Sequence, residues 1–496
     1  MVARSSAPKL ILAVALTSTT YLAAVQPTQV PPGAPQQTEE FLVQLKPQAS
    51  AGVMAASLMT TQSVPIETVV KESQQPVGRG EVVRVRVEPG ASPENVKARL
   101  ESLSSVAFVE PNYRYSHQQQ VANDAHYIDG KLWGLFGDDK PTAIGPVGPN
   151  PPGTLTMNAF GSQAEKAWNA GNVGKDEVVV AVLDEGVDVN HPDLKDNIWS
   201  NPGEIGKDSS GADRRTNKLD DDGNGKVDDV QGWDFRSNDN TVFDGDPAQP
   251  NIDSHGTHVA GTIGAKGGNG VGVVGVAWNV RVIPVKFLGP QDGTTADAIK
   301  AIDYLIDLKR RHKLNLIAVN NSWSGGGKSV LLHDAFKRAA RAGILLLCAA
   351  GNGGSDNIGD DNDATPTYPA SYDTTEDWTS IGGTKGESFD AIISVASLSK
   401  DGALASSSNF GKVSVDLAAP GKDVHSTLPH GKYGDKSGTS MATPHVTGAT
   451  VLYRSKHPAA TAAQIKAAVL ASATSTPTPA VKNKAMTGGR LNVSGF

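Results

Sequence analysis

After residue 160 the apolar positions of the chain fall into two alternating patterns. Short, nearly unbroken apolar runs have the length and the Val/Ile/Leu content of strands buried on both faces: "EVVVAVLD" ending at Asp184, "RVIPVKFL", "LNLIAVNNS", "GILLLCAAGN" and "AIISVASL". Between them "TADAIKAIDYLIDLKRR" and "SVLLHDAFKRAARAG" space their apolar residues at the helical period. Buried strands alternating with amphipathic helices predict an α/β fold, a mostly parallel doubly wound sheet with helices on both faces. Near the end "TAAQIKAAVLASA" opens on Thr461 with Gln464 three positions on, the signature of a capping box. No internal repeat interrupts this order.

Ahead of it the pattern is different. Residues 38–116 carry "EEFLVQLK" and "EVVRVRVEP", which alternate apolar and polar like strands covered on one face. "SPENVKARLESL" follows, with Ser92 as N-cap and Pro93 at the first helical position, and "VAFVEPNYRYS" closes the stretch as another strand. This predicts a small α+β module. A Pro/Gln-rich linker (26–38) precedes it, and a polar, Gly/Pro-rich connection (117–160) separates it from the larger domain, expected over 122–494. Arg4 and Lys9 precede the apolar run Leu10 to Leu16 and a series of small residues, so residues 1–25 read as a secretion signal and the protein as extracellular. No other segment approaches the ~20 continuous apolar residues of a membrane span, so no stable membrane anchor is expected.

Charge and cysteine content narrow the class. A formal net charge of -7 over 496 residues, without a long Lys/Arg run, argues against a nucleic-acid partner. The single cysteine, Cys348, rules out an intrachain disulfide. An exported chain without disulfides needs another stabiliser, and bound calcium is the expectation. No organic cofactor is expected, and a monomer is the working expectation for oligomeric state.

Three polar clusters stand where such sheets carry their chemistry, beyond the carboxyl ends of the strands. Asp184 directly follows "VVVAVL"; a carboxylate there needs a hydrogen-bonding partner, although an Asp at a strand end also serves as turn former or cap. His255 and His258 open "SHGTHVAGTIGA", a run of small residues that reads as a tightly packed helix. They lack the HExxH pattern and a nearby cysteine, which disfavours zinc. Ser440 begins "SMATPHVTGATVLY", with Pro444 placed at a helix start; a hydroxyl there is either a plain cap or lies where helix N–H groups stabilise developing negative charge.

Taken in order, "AVLDEGVDVNHPDL", "DSHGTHVAGTIGA", "CAAGNGG" and "SGTSMATPHVTG" resemble the four signature blocks of the subtilisin-like serine proteases, and residues 38–116 resemble that family's inhibitory propeptide. The order Asp, His, Ser differs from the Ser, acid, His order of the GxSxG hydrolases. The resemblance implies a secreted endopeptidase made as a self-processing zymogen. In it Asp184 orients His255, His255 is general base and then acid, Ser440 attacks the peptide carbonyl, and Asn352 donates to the oxyanion. It also implies a pocket for a large apolar side chain walled by Ser322, Trp323, Ser324 and Gly325 and by Ala349, Ala350 and Gly351. Protein and peptide substrates would be its partners, with its own propeptide as intramolecular inhibitor. The alternatives are an inactive binding module of the same fold and an exopeptidase.

One position departs from the resemblance. Glu185 stands where the family usually has Ser or Thr; either its charge beside the imidazole raises the pKa of His255, or its side chain points to solvent. Two calcium sites are also expected. "LDDDGNGKVDDVQG" sets Asp220, Asp222, Asn224 and Asp228 at EF-hand-like spacing, though Gln231 stands where a Glu would complete the loop. The resemblance further implies a site at Asp193 and Asn269 with the Val271 and Val273 carbonyls.

Overall fold

The structure, a computed structural model, describes residues 40–47, 49–52, 54, 66–71, 81–111, 122–136, 160–289, 293–325, 327–376, 378–383 and 388–496. The expected signal at 1–25 and the linker at 26–38 lie outside them. The chain divides into two compact units, Met1–His117 and Gln118–Phe496.

In the first unit β1 (Glu40–Leu45), β2 (Ile66–Lys71), β3 (Val82–Val87), α1 (Pro93–Glu101) and β4 (Val106–Pro111) follow one another, and the strands form an antiparallel sheet in the order β2-β3-β1-β4. The alternation of the sequence is the alternation of the sheet. Phe41, Val43, Leu45, Val83, Val85 and Val87 are buried with Val96 and Leu100 of α1, while Arg86 on the other face donates to Glu40 at 2.9 and 2.7 Å. Ser92 caps α1 as expected, accepting from the Asn95 N–H at 3.3 Å. The apolar pattern does not announce β2, because "IETVVK" sets Val69 beside Val70 and so breaks the alternation.

The second unit runs α2 (Ala125–Ile128), α3 (Ala164–Asn169), β5 (Gly174–Asp184), β6 (Trp233–Asp234), α4 (Ser254–Gly264), β7 (Asn279–Lys286), α5 (Thr295–Arg311), β8 (Leu316–Asn321), α6 (Val330–Arg341), β9 (Leu345–Ala349), β10 (Ile392–Leu398), β11 (Leu417–Pro420), β12 (Val424–Leu428), β13 (Lys432–Lys436), α7 (Thr439–Lys456) and α8 (Ala462–Thr474). A seven-stranded sheet has the order β11-β10-β9-β8-β5-β7-β6, with every neighbouring pair parallel. β12 and β13 form a separate antiparallel hairpin.

Each strand feeds two cores by its period of two. Val178, Val180 and Val182 of β5 join Val259 and Ile263 of α4, Val446 and Leu452 of α7, and Ile465 of α8. Val179, Ala181 and Leu183 point the other way, to Ile302 and Leu305 of α5 and Phe336 of α6. The doubly wound α/β fold expected from the sequence is the fold observed. After β7 the chain crosses to the opposite side of β5 and builds outward, so the carboxyl end of β5, at Asp184, lies at the topological switch point.

Pro444 differs from expectation. α7 begins at Thr439, so Pro444 lies inside the helix rather than at its start. Without an N–H it leaves the Ser440 carbonyl without its helical donor. The Ser322 hydroxyl fills that place, donating to the Ser440 carbonyl at 2.8 Å.

Candidate active site

Asp184 is 1% exposed, and a buried carboxylate must be compensated by donors. Two reach its Oδ1: the Glu185 N–H at 2.8 Å and the His255 ring at Nδ1, 2.9 Å away. Nδ1 also lies 3.1 Å from Oδ2. This fixes Nδ1 as the protonated nitrogen and leaves Nε2 as the free base. Burial works against the charged imidazole, but the Asp184 charge and hydrogen bond outweigh it and the Glu185 charge adds to them, so the His255 pKa lies above its ordinary value.

Glu185 does not point away to solvent. Its Oε1 accepts the backbone N–H of His255 at 2.6 Å. Burial, and then the neighbouring Asp184 charge, raise its own pKa. The other two histidines of the motifs are structural. His258 lies 2.9 Å from the Val424 carbonyl through Nε2, and His445 2.9 Å from the Met441 carbonyl through Nδ1. Burial pushes their pKa values down to about 3 and about 4, so both are neutral.

Ser440 is the second residue of α7, whose N-cap is Gly438. Its Oγ donates to the Ser322 carbonyl at 2.9 Å, reciprocating the Ser322 hydroxyl on its own carbonyl. Asn352 is held by Thr439, whose N–H and hydroxyl donate to Oδ1 at 2.8 and 3.1 Å. That anchorage commits the amide oxygen and leaves Nδ2 as a donor without an acceptor among the described residues. A strand end, a helix N-terminus and a loop anchored to that helix thus supply a carboxylate-bound imidazole, a hydroxyl and an amide donor. Together they offer the groups of acyl transfer.

A cavity of about 570 Å³ runs from Asp184, Glu185 and His255 along Ser322, Trp323, Ser324 and Gly325. Four of the expected pocket residues therefore line it. Ala349, Ala350 and Gly351 do not: they are buried, and Gly351 N–H donates to Thr439 Oγ1 at 3.2 Å. Phe287, Leu288, Tyr368 and Tyr372, which the sequence reading did not name, line the cavity as well. The signal available for the tyrosines was "TYPASY", two aromatics in a stretch without strand or helix periodicity.

The acidic loop is rearranged relative to the EF-hand-like expectation. Asp220 and Asp222 come together with Glu204, one oxygen of each within 4.8 Å of the others. Glu204 is fully buried; its Oε1 accepts the Asp221 N–H at 2.9 Å, while Oε2 has no partner. Asp228 instead accepts the Lys218 N–H at 3.2 Å, and Asn224 turns its Nδ2 to Asp222 and Asp229 at 3.2 and 3.0 Å. Glu204 is thus the residue that spacing alone did not find. Three carboxylates around a buried, unpartnered oxygen fit a hard cation such as calcium. At the second expected site Asn269 Nδ2 and the Val273 N–H donate to Asp193 at 2.9 Å each. Asp124 stands beside it, accepting the Gly268 N–H at 3.0 Å and keeping Oδ1 buried without a partner.

Comparisons with known proteins identify the family. The model of the subtilase family matches residues 175–488. The chain is 37% identical over 297 residues to the major intracellular serine protease of Bacillus subtilis (strain 168), covering 59% of this chain and 73% of that protein. It is 29% identical over 423 residues to the thermophilic serine proteinase of Bacillus sp. (strain AK1), covering 84% of this chain and 78% of that protein. It is 34% identical over 291 residues to subtilisin-like protease 1 of Plasmodium falciparum, covering 56% of this chain and 37% of that protein. The chain belongs to the subtilase family and is a serine-type endopeptidase.

Proposed function

We propose that the protein is a secreted, self-processing endopeptidase in which Asp184, His255 and Ser440 form the catalytic triad. The observation that carries this reading is the His255 ring held through Nδ1 on the buried Asp184 carboxylate and lining the same cavity as Ser322, whose carbonyl accepts the Ser440 hydroxyl.

In this reading a peptide lies along the cavity, with an apolar side chain against Trp323, Tyr368 and Tyr372. His255 Nε2 takes the Ser440 proton as Oγ leaves the Ser322 carbonyl and attacks the peptide carbon. The oxyanion accepts from Asn352 Nδ2 and from the Ser440 N–H. His255 then gives the proton to the departing amine, and water repeats the sequence on the acyl-enzyme. Asp184 stays ionised throughout and stabilises the imidazolium.

Secretion rests on the charged and apolar pattern of residues 1–25. The precursor reading rests on the α+β unit preceding the catalytic one, with residues 38–116 acting as inhibitor until they are cut away. The Bacillus subtilis relative is named an intracellular protease, so the leader carries the assignment of compartment. Calcium, when bound, would supply charge neutralisation and cross-linking of loops. Glu204, Asp220 and Asp222 would hold one ion, and Asp193, with Asp124 and Asn269 beside it, a second.

The test expresses wild type and Ser440→Ala in parallel. The wild type is expected to shorten to a form lacking residues 38–116, to be found outside the cell, and to be labelled at Ser440 by a serine-directed phosphonate. Ser440→Ala should accumulate at full length without label. Equal processing of the two, or a label elsewhere in the wild type, contradicts the triad; processing inside the cell contradicts secretion.

A further inference from the structure

Lys286, the last residue of β7, is 2% exposed, and its ammonium group must be matched by charge. Nζ lies 2.6 Å from Asp253 Oδ1 and 2.8 Å from Asp244 Oδ2. Asp253 is itself 2% exposed and immediately precedes α4, in which His255 is the second residue. Its backbone is left-handed, at φ 55. Its Oδ2 accepts the Asp244 N–H, and its carbonyl accepts the Thr257 N–H at 3.2 Å and the Thr257 hydroxyl at 2.6 Å.

The same side chain abuts the loop of the catalytic carboxylate. A Cβ on Gly186 would come 2.7 Å from Asp253 Cγ, so the two segments are in contact there. Lys286 in turn is the register partner of Asp184 across β5 and β7, and the Asp184 carbonyl accepts the Phe287 N–H at 3.0 Å. One buried ammonium group therefore ties the strand beside Asp184 to the residue that starts the helix of His255. A buried ion pair is a weak source of net stability, because desolvation offsets most of the attraction. What it supplies is a fixed relative position.

We propose that Lys286 and Asp253 are a positioning pair that sets the His255 imidazole against Asp184. The pair touches neither substrate nor reacting atoms. It acts by holding Asp253 in the left-handed conformation from which α4 departs. This inference rests on the Asp184–His255–Ser440 reading.

Asp253→Gly and Asp253→Asn separate positioning from structure. Gly suits the left-handed backbone better than any other residue but loses the carboxylate. Lys286 keeps Asp244 as a partner in that variant. Asn tolerates the backbone and keeps one of the two acceptances, since its amide nitrogen cannot accept the other. Asp253→Ala lacks both advantages. The full chain is used, active sites are counted with the phosphonate, and kcat and KM are measured per titrated site on a chromogenic peptide.

The expected order of kcat is wild type, then Asn, then Gly and Ala. The Gly variant should fall by at least about tenfold with KM changed less than about threefold, since a misplacement of about 1 Å costs about 10² in rate. Its thermal midpoint should nonetheless exceed that of Asp253→Ala. The low-field proton resonance of His255 Nδ1–H should shift in the Gly variant and return toward its wild-type position in Asn. The inference is overturned if Asp253→Gly retains kcat within about threefold, or if kcat simply follows thermal stability so that Gly exceeds Asn. Should Asp253→Gly not fold, Asp253→Asn is judged alone: kcat equal to wild type refutes the pairing, a partial loss at unchanged KM supports it. Failure of the wild type to label at Ser440 would refute the underlying triad instead.

Discussion

Gly256→Ala is a one-carbon perturbation whose outcome the geometry decides. Gly256 follows His255 in α4, and a Cβ built on it meets the Gly186 carbonyl oxygen at 2.1 Å and Asp184 Cβ at 3.2 Å. Helix propensity alone favours the substitution by about 1 kcal/mol. Carbon–oxygen contacts settle at about 3.3 to 3.6 Å, so α4 and the Asp184 loop must separate by about 1 Å. Both contacts are backbone or the first side-chain carbon of a buried residue, and neither can swing aside. Overpacking of this kind costs about 1 to 3 kcal/mol. The net loss of stability is therefore only about 0 to 2 kcal/mol. Catalysis should suffer more, because the strain falls across the His255–Asp184 hydrogen bond, and about 1 Å of misplacement costs about 10² in rate. The assay is kcat and KM on a chromogenic peptide, normalised by phosphonate titration, beside a thermal melt. The expected result is kcat down by about 10² with KM within about threefold, since Trp323, Tyr368 and Tyr372 are untouched. A variant with kcat within threefold of wild type and a raised melting temperature would refute the reasoning.

Glu185→Gln keeps the acceptor for the His255 N–H and removes a charge that raises the His255 pKa, so the acid limb of kcat/KM should move to lower pH; His255 is active when neutral, activity is lost as pH falls through its pKa, and an unmoved limb would contradict the assignment. A calcium chelator should lower the melting temperature of the full chain, by the equivalent of about 2.7 kcal/mol where the ion stands at 100 times its Kd, and the chelator effect should shrink in Glu204→Gln; an equal effect in both proteins would remove Glu204 from the site. Cys348 is 0% exposed, and burial pushes its thiol pKa well above the ordinary value, so iodoacetamide at pH 8 should modify it only after unfolding; rapid alkylation of active enzyme would contradict that burial.

The sheet was legible because burial on both faces writes itself as apolar runs: β5, β7, β8, β9 and β10 coincide with the five runs, and Asp184 ends the first of them. Ser440 and His255 stood out as polar residues at helix starts, but the roles proposed for them came from the family resemblance. Asn352 needed the family resemblance, since a single amide after a strand has no signature of its own. What stayed hidden depended on partners distant in sequence. Lys286 reads as the polar end of a strand, and its burial is explained by Asp253 and Asp244, both distant in sequence. Glu204 sits outside the DDDGNG loop and joins it through the Asp221 and Asp222 N–H groups. Part of the cavity lining stayed hidden for the same reason. Tyr368 and Tyr372 come from an irregular stretch, and no period marks the face they present.

The two unusual residues near His255 explain one another. A helix start leaves backbone N–H groups that its N-cap side chain ordinarily accepts. The N-cap of α4 is Asp253, a residue type well suited to that task, yet its carboxylate makes no capping hydrogen bond. Both of its oxygens are committed elsewhere, to Lys286 and to the Asp244 N–H. The vacant role falls to Glu185, which reaches from the end of β5 to accept the His255 N–H. Its charge is also favourable at the positive end of the α4 dipole. A Ser or Thr at 185 has a side chain two atoms shorter and no charge to offer the dipole. Glu185 therefore fits an α4 whose own cap has been diverted to a buried ammonium group, and the two departures should be read as one arrangement. It follows that substitutions at 185 and 253 are coupled, because each changes how the first turn of the histidine helix is held.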